Sequence, residues 1–204
     1  MNDQQKKPKI VFVTVGTTLF DHLIEEISSP PFLSLLLEGD FTQLIVQYGK
    51  GKTPLFAPSS QEKGSYIDPK TKGKSLDWEI YKFKPSLHAD MTKADLIISH
   101  AGAGSIMEGL ASCHERNKIL DNNERNSLLK KLIVVINDEL MDNHQIELAE
   151  ALASRNYLMM MNNPIELQDK EAFSRIVNFV PKDYKGGNLS TFGSLLNSFM
   201  GFKD

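Results

Sequence analysis

A glycine-rich turn near the middle of the chain carries the strongest chemical signal. Residues 99–105, with the sequence SHAGAGS, follow a short apolar run and open a stretch of helical sequence. The free N–H groups and the positive dipole end of such a helix start bind anions. Gly102 and Gly104 have no Cβ atom, so a diphosphate can approach the backbone closely. Ser105 adds a hydroxyl donor, and Glu108, one turn into the helix, can accept hydrogen bonds from ribose hydroxyls.

The same turn has a second interpretation, in which its glycines serve only the packing of a strand against a helix. The dinucleotide-binding fingerprint is a poor match, because its third glycine would fall at Met107 and the motif lies in the fourth βα unit. A P-loop is a poorer match. Residues 51–53 resemble its tail, but its first glycine would fall at Val46 and Pro54 stands where a helix should begin.

Two further polar segments follow predicted strands. Residues 16–18 (Gly-Thr-Thr) end the first strand, and residues 137–145 follow the fifth. Because the carboxyl ends of parallel strands meet at one edge, where ligands bind in open α/β sheets, both segments are expected beside the glycine-rich turn. Asn143, His144 and Gln145 could bond sugar hydroxyls, although capping of the following helix is the alternative.

The elements that must position these residues form an alternating pattern. Apolar runs alternate with helical stretches, which is typical of a parallel α/β sheet. We expect one domain over residues 1–204, with a Rossmann-like open parallel sheet and helices on both faces. The predicted strands are 9–15, 44–48, 78–83, 95–98, 132–136 and 157–161. Long loops are predicted over about 49–76, which is rich in Lys, Gly, Ser and Pro, and over 112–131, which is charged and Asn-rich.

The end of the chain carries two predicted helices. Asn163, Pro164 and Glu166 are an N-cap, a first-position proline and a third-position acid, so a helix is predicted to about Phe179. A second helix is predicted over about 190–201. Its apolar residues are spaced to form one stripe that packs on this domain, docks on a partner chain, or does both. The stripe consists of Phe192, Leu195, Leu196, Phe199 and Met200.

Composition excludes several classes of function. The chain is 41% hydrophobic, enough for one buried core, and its net charge of −3 gives no basic surface for nucleic acid. No apolar stretch could span a bilayer or serve as a secretory signal, so a cytosolic protein is expected. Neither an Asp-x-Asp pair nor a ligand spacing among the five histidines supports a metal site. The single cysteine excludes an internal disulfide.

Together these residues resemble a known family. Residues 95–105 and 137–145 are similar to the small catalytic subunit of the two-component dolichol-pathway N-acetylglucosaminyltransferase. They are more distantly similar to the C-terminal half of the bacterial glycosyltransferase that makes lipid II. Residues 13–18, 47–49 and 83–85 fall where that family has its other characteristic segments. The resemblance covers nearly the whole chain and implies the C-terminal half of a GT-B glycosyltransferase.

The resemblance implies a function and its partners. The chain would bind UDP-GlcNAc and join a membrane-anchored, acceptor-binding subunit at the cytosolic face of the endoplasmic reticulum. The pair would add the second GlcNAc, in a β1,4 linkage and with inversion, to a lipid-linked acceptor, GlcNAc-diphospho-dolichol. UDP-GlcNAc is the donor substrate, and no metal or other cofactor is expected. In single-chain relatives the catalytic base belongs to the other domain, so no base is assigned in this chain.

The resemblance also implies residue roles. Glu108 matches the glutamate that holds the ribose, His144 and Gln145 match residues that contact the donor sugar, and Lys84 falls where the backbone meets uracil. The diphosphate would be surrounded by Gly16, Thr17, Gly102, Ala103, Gly104 and Ser105. The complete predicted donor site is Gly16, Thr17, Thr18, Phe83, Lys84, His100, Gly102, Ala103, Gly104, Ser105, Glu108, Asn143, His144 and Gln145.

Two other functions remain open at this point. A non-catalytic module that binds a nucleotide sugar and regulates its partner would keep the same turns, although the intact set of Glu108 and residues 143–145 favours donor chemistry. A nucleotide-sugar epimerase of the same superfamily uses two domains in one chain, and 204 residues leave room for one. The insertion at 112–131 has no counterpart in the resemblance, so helix boundaries there are not predicted.

Overall fold

Seven strands form a single sheet in the computed structural model of this chain. The structure describes residues 7–58, 61–71, 73–120, 129–137 and 143–185, with only the backbone for 143–145. The strands are β1 (Ile10–Thr14), β2 (Gln43–Gln47), β3 (Lys63–Ile67), β4 (Ser75–Tyr81), β5 (Leu96–His100), β6 (Lys131–Val135) and β7 (Met159–Met161). The helices are α1 (Asp21–Ile27), α2 (Pro30–Glu38), α3 (His88–Lys93), α4 (Ala103–Asn117), α5 (Asn143–Ala153) and α6 (Lys170–Asn178).

The strand order is β3-β4-β2-β1-β5-β6-β7, and every pair is parallel except β3 with β4. Without the antiparallel edge strand β3, this is the doubly wound order in which the chain first builds outward on one side of β1 and then on the other. The direction of winding reverses between β1 and β5, and a crevice opens there at the carboxyl ends of the strands.

Helices cover both faces of the sheet and bury two apolar clusters. On one face α1, α2 and α6 pack on strand residues such as Val13 and Val46. On the other face α3, α4 and α5 pack on residues such as Phe12 and Ile97. The central strands β1 and β5 are buried at every residue, as strands covered on both faces must be. The predicted Rossmann-like α/β fold with helices on both faces is confirmed.

Neither predicted long loop is free of regular structure. Strand β3 lies within 49–76, and its residues alternate between exposed and half-buried. The strand was missed because an edge strand with one covered face needs no apolar run, and its Gly64 leaves room for the ring of Trp78. Likewise, α4 continues to Asn117, so the first residues of 112–131 are helical and bury Ser112 and Cys113. Residues 121–128 lie outside the described residues.

The predicted helix after Asn163 is divided in two. The capping box of Asn163 and Glu166 is present, but it opens a 3-10 helix, Pro164–Gln168. Asp169 then has an extended backbone and caps α6 by accepting a hydrogen bond from the Ala172 N–H. The break follows from Asp169, whose short carboxylate competes with the helix for backbone donors.

Two expectations concern longer stretches of helix. The predicted helix at 190–201, with its stripe from Phe192 to Met200, lies outside the described residues. Among the residues that the structure does describe, no helix is both long and apolar enough to cross a membrane.

Candidate functional site

A cleft of about 430 Å³ opens at the carboxyl edge of the sheet, where β1 and β5 end side by side. The turn after β1, the start of α4 and the segment after β4 form its walls. Its lining residues are Gly16, Thr17, Gln47, Phe83, Lys84, Pro85, Ser86, Leu87, His100, Gly102, Gly104, Ser105 and Glu108. Three segments that are distant in the sequence therefore meet at the topological switch point between β1 and β5.

The turn after β1 is tightly hydrogen-bonded. Gly16 has a φ of +60°, which favours glycine, and its N–H donates to the Thr14 hydroxyl at 3.1 Å. The Thr18 hydroxyl donates to the carbonyl of Val15 at 2.8 Å. Thr17 lines the cleft and is exposed, whereas Thr18 is outside the lining because its hydroxyl closes the turn. The Thr18 hydroxyl therefore stabilises the turn, and its donor contact stays a prediction.

The start of α4 provides backbone donors to the cleft. Gly102 is the N-cap residue and no side chain caps the helix. The first helical hydrogen bond of this end runs from the Ile106 N–H to the Gly102 carbonyl at 3.0 Å, so the N–H groups of residues 103–105 precede it. Such groups at the start of a 15-residue helix form an anion site together with the helix dipole.

His100 forms the floor between the two turns. It is 7% exposed, and its ring lies against both Gly16 and Gly102. Burial lowers the pKa of His100, and a hydrogen bond to the Thr14 backbone opposes only part of this shift. The imidazole is therefore neutral at pH 7. By contrast, a Cβ atom at Gly104 would meet open space, so this position can admit a ligand to the backbone.

The third wall, residues 82–87, is held from outside by α3. Lys84 lines the cleft, and its Nζ donates to Asp90 at 2.8 Å and to Glu79 at 3.3 Å. The Tyr81 hydroxyl donates to the same Asp90 oxygen at 2.7 Å. The Lys84 ammonium also lies 3.8 Å from the centre of the Tyr81 ring. The Lys84 ammonium therefore has its partners within this network.

The charges in this network shift one another's pKa values. Burial raises the pKa of Tyr81, and its hydrogen bond to Asp90 raises it further. Burial alone would lower the pKa of Lys84, but Asp90 and Glu79 reverse that effect and raise it. Burial would raise the pKa of Glu79, but Lys63 and Lys84 overcome it and lower the pKa. At neutral pH the Tyr81 phenol is therefore neutral, whereas Lys84 and Glu79 are charged.

A larger cleft, of about 570 Å³, lies at the opposite edge of the sheet. Three of its four cationic side chains make structural contacts. Lys9 donates to the Gly39 carbonyl at 2.9 Å, Lys131 donates to a carbonyl of α6, and Arg116 pairs with Asp95 at 2.6 Å. These contacts join the amino ends of strands to neighbouring helices. The ligand site is therefore assigned to the smaller cleft, where the strand carboxyl ends meet.

Residues 10–114, which include all three walls of the smaller cleft, match the glycosyltransferase family 28 C-terminal domain. The chain belongs to this family. The glycine turns, the start of α4 and segment 82–87 therefore all lie within the part of the chain that the family shares.

Two relatives of this family 28 domain bear the same name. The chain is 41% identical over 150 residues to the human UDP-N-acetylglucosamine transferase subunit ALG13, covering 74% of this chain and 11% of that protein. It is 30% identical over 213 residues to the subunit of that name from Cryptococcus neoformans var. neoformans, covering 96% and 98%. The chain thus spans about a tenth of the human relative and nearly all of the fungal one.

Solved structures share the fold. An NMR solution structure of ALG13 superposes with a TM-score of 0.59 at 26% identity, covering 93% of this chain and 95% of that one. The crystal structure of Acinetobacter baumannii MurG superposes with a TM-score of 0.56 at 16% identity, covering 96% of this chain and 51% of that one. The MurG likeness shows the fold alone.

Although the resemblance included residues 47–49 and 83–85, four residues that line the family 28 domain's cleft were not in the predicted donor site. They are Gln47, Pro85, Ser86 and Leu87. Gln47 had a recognisable signal, because it is a buried polar residue that directly follows the apolar run 44–46 of β2, just as Thr14 follows the apolar run of β1. The other three follow Phe83 and Lys84 in the same loop, where nothing in their residue types indicates which backbone groups face a ligand.

Some predicted donor residues are not brought to the cleft or cannot be placed. Ala103 does not line the cleft. Residues 143–145 begin α5, but the side chains of Asn143, His144 and Gln145 lie outside the described residues. Asn137 donates to the Leu19 carbonyl at 3.0 Å and so ties the loop after β6 to the turn after β1. Within the described part of the chain, no group of His, Cys, Asp or Glu side chains could hold a metal ion.

Proposed function

We propose that this family 28 domain is the donor-binding catalytic subunit of a UDP-GlcNAc transferase. It would add the second GlcNAc, through a β1,4 linkage and with inversion, to GlcNAc-diphospho-dolichol in the synthesis of the N-glycan precursor. One observation carries this proposal. The turn at Gly16, the uncapped start of α4 and the acidic Glu108 converge on one cleft of about 430 Å³. The name that the human and Cryptococcus relatives share supports the choice of donor.

The groups that line the cleft suit the three parts of a nucleoside diphosphate. The N–H groups at the start of α4 would hold the diphosphate, as helix starts do for anions in general. Glu108 follows one turn later on the same wall and would accept hydrogen bonds from the ribose hydroxyls. Residues 83–87, which include the exposed Phe83, form another wall, and their backbone would bind uracil.

The chemistry would consist of holding the donor and stabilising the departing UDP. In the proposed step the acceptor hydroxyl oxygen bonds to C1 of GlcNAc from the face opposite the diphosphate. The bond between C1 and the diphosphate oxygen breaks, and UDP leaves with its electron pair. Backbone N–H groups aimed at that oxygen stabilise the developing charge, so this proposal needs no metal. The acceptor proton goes to a base that is not assigned to this chain.

The proposal includes a partner. A membrane-anchored subunit at the cytosolic face of the endoplasmic reticulum would bind the lipid-linked acceptor and dock this chain beside it. The word "subunit" in the relatives' name supports a multi-chain enzyme. We propose that the predicted stripe at residues 192–200 contributes to this docking. The test is a full-length chain compared with one ending at Thr191, in co-sedimentation with membranes that carry the partner. Equal sedimentation of both would remove the stripe from the interface.

The function is tested by transfer of labelled GlcNAc from UDP-GlcNAc to a synthetic GlcNAc-diphospho-lipid. The full chain is assayed alone, with partner-bearing membranes, and with membranes that lack the partner. Activity that appears only with the partner supports the split enzyme. Binding of UDP-GlcNAc without transfer in any mixture would overturn the catalytic proposal in favour of a regulatory binding module.

Matched variants of one helix sharpen this assay. Glu108→Gln removes the carboxylate in the cleft, and Glu115→Gln makes the same change at an exposed position two turns further along α4. Glu108→Gln is expected to raise the KM for UDP-GlcNAc by roughly 10- to 100-fold, through lost charged hydrogen bonds of about 1.5–3 kcal/mol. Glu115→Gln should behave as wild type. Identical kinetics in both variants would exclude Glu108 from the donor site.

A further inference from the structure

Gln47 occupies an unusual position for an amide side chain. It is the last residue of β2 and is 1% exposed, between Thr14 at the end of β1 and Tyr81 at the end of β4. A buried amide without partners would destabilise the fold by leaving donors and acceptors unsatisfied. The contacts of Gln47 therefore explain why an amide is present at this position.

The Gln47 amide bonds to two of the three walls of the cleft and to the end of β1. Its Nε2 donates to the Gly16 carbonyl at 2.7 Å and to the Lys82 carbonyl at 2.7 Å. Its Oε1 accepts from the Thr14 hydroxyl at 2.6 Å. The Thr14 hydroxyl in turn accepts from the Gly16 N–H at 3.1 Å. The amide orientation is determined by this pattern, because the opposite orientation would place Oε1 against two carbonyl oxygens.

These bonds join two walls that have different tasks in the proposed donor site. Gly16 belongs to the turn beside the diphosphate, and Lys82 begins the segment 82–87 beside the nucleobase. One side chain thus bridges the turn after β1 and the segment after β4. Because both N–H groups of the amide are already used, Gln47 offers no hydrogen to a ligand although it lines the cleft.

We propose that Gln47 is a positioning residue that holds the phosphate turn and the nucleobase wall at one fixed separation. A nucleoside diphosphate would then bind both walls at once without reorganising them, which increases affinity through preorganisation. This inference rests on the proposed function, since it assumes that the cleft takes UDP. It goes further by assigning the coupling between the nucleoside and diphosphate subsites to a single residue.

The geometry makes specific demands on residue type. A carboxylate at this position would direct oxygen atoms at the carbonyls of Gly16 and Lys82, and therefore Gln47→Glu would repel both walls. Gln47→Met keeps a similar length and volume but removes all three hydrogen bonds. Gln43→Met makes the same change at the other end of β2, away from the cleft, and is the matched control.

The experiment measures binding of three ligands to the full chain: UDP, uridine and inorganic diphosphate. Weak binding of the two fragments is followed through the NMR signals of the Gly16 and Phe83 amides. For each variant we divide the fold loss of UDP affinity by the product of the fold losses for uridine and diphosphate. In Gln47→Met we expect this ratio to be about 10, within the usual range of coupling between sites. Gln43→Met should leave this ratio unchanged. A merely structural role would weaken binding of all three ligands without changing the ratio.

A second pair of variants tests the same inference if Gln47→Met does not fold. Thr14→Val removes the hydroxyl that orients the amide and leaves Gln47 itself in place, whereas Thr14→Ser retains the hydroxyl. We expect Thr14→Val to lose more UDP affinity than the product of its two fragment losses, as Gln47→Met does. Thr14→Ser should show no such excess. The inference would be overturned if, in both Gln47→Met and Thr14→Val, the loss of UDP affinity did not exceed the product of the losses of uridine and diphosphate affinity. A wild-type chain that binds none of the ligands would overturn the proposed function, and this inference with it.

Discussion

The imidazole of His100 fills the space that a side chain at Gly102 would require. A Cβ atom at Gly102 would lie 2.2 Å from the Nε2 atom of His100, and one at Gly16 would lie 2.5 Å from its Cε1 atom. Both glycine turns thus close on one buried ring. Gly104 differs, because a Cβ atom there would contact nothing within 4 Å. The glycines of the SHAGAGS turn therefore separate into one required by packing and one available to a ligand.

Gly102→Ala should destabilise the fold. The added methyl group would displace the buried His100 ring, and overpacking of this kind lowers the free energy of unfolding by about 1–3 kcal/mol. Urea denaturation followed by circular dichroism measures the change. In a His100→Ala background the same substitution should be nearly neutral, because the clashing ring is gone. Equal destabilisation in both backgrounds would show that the ring is not the cause.

Gly104→Ala should weaken ligand binding without lowering stability. Its methyl group meets open space, and alanine is the better helix former, so stability should be unchanged or higher by up to about 1 kcal/mol. The methyl group would, however, cover the backbone N–H groups proposed to hold the diphosphate. We expect inorganic diphosphate and UDP to bind more weakly, while uridine binding is retained, as measured by NMR titration. Undiminished diphosphate binding would place the anion elsewhere.

Asp90→Asn should loosen the nucleobase wall from outside the cleft. The substitution removes the charge that Lys84 contacts at 2.8 Å and weakens the acceptor of the buried Tyr81 hydroxyl. We expect the free energy of unfolding to fall by about 1–3 kcal/mol and uridine to bind more weakly than in wild type. Tyr81→Phe, which keeps the pair of Lys84 and Asp90, should retain more of the uridine affinity. Calorimetry with both variants distinguishes the two contacts.

Cys113 should make stability fall in alkaline solution. Burial raises the pKa of its thiol from 9.0 to about 12. The thiol is protonated in both folded and unfolded chains below pH 9, so its contribution to stability is fully present there. Above pH 9 the unfolded thiol ionises first, and stability is lost as the pH rises toward 12. By pH 10.5 the loss is about 2 kcal/mol.

The measurement for Cys113 compares urea unfolding of wild type and Cys113→Ala at pH 8 and pH 10.5. The variant has lower stability at both pH values but should lack the additional alkaline decline. Alkylation provides a second readout: the native thiol should be unreactive at pH 8 and should react once the chain is unfolded. Rapid alkylation of the native chain would contradict the buried position of Cys113.

Much of this architecture could be predicted from residue patterns. The central strands are continuous apolar runs because both of their faces are covered, and this signal is independent of the rest of the chain. The edge strand β3 was not predicted, because Gly64 and Ser65 have no strong preference for strands. Gly64 leaves room for the Trp78 ring, and the Ser65 hydroxyl donates to Asp77. The break at Asp169 was likewise missed, since a capping box marks where a helix begins and does not determine how far it continues.

For the site, the sequence by itself determined which segments belong together. Glycine turns after β1 and β5 had to meet at one sheet edge, because parallel strands share their carboxyl ends. Only the tertiary structure decided what each residue does there. It directed the Lys84 side chain to Asp90, assigned the space beside Gly102 to His100, and set Gln47 between Gly16 and Lys82. The two bonds of Gln47 join residues 31 and 35 positions apart in the chain, and no local pattern specifies a distance across neighbouring strands.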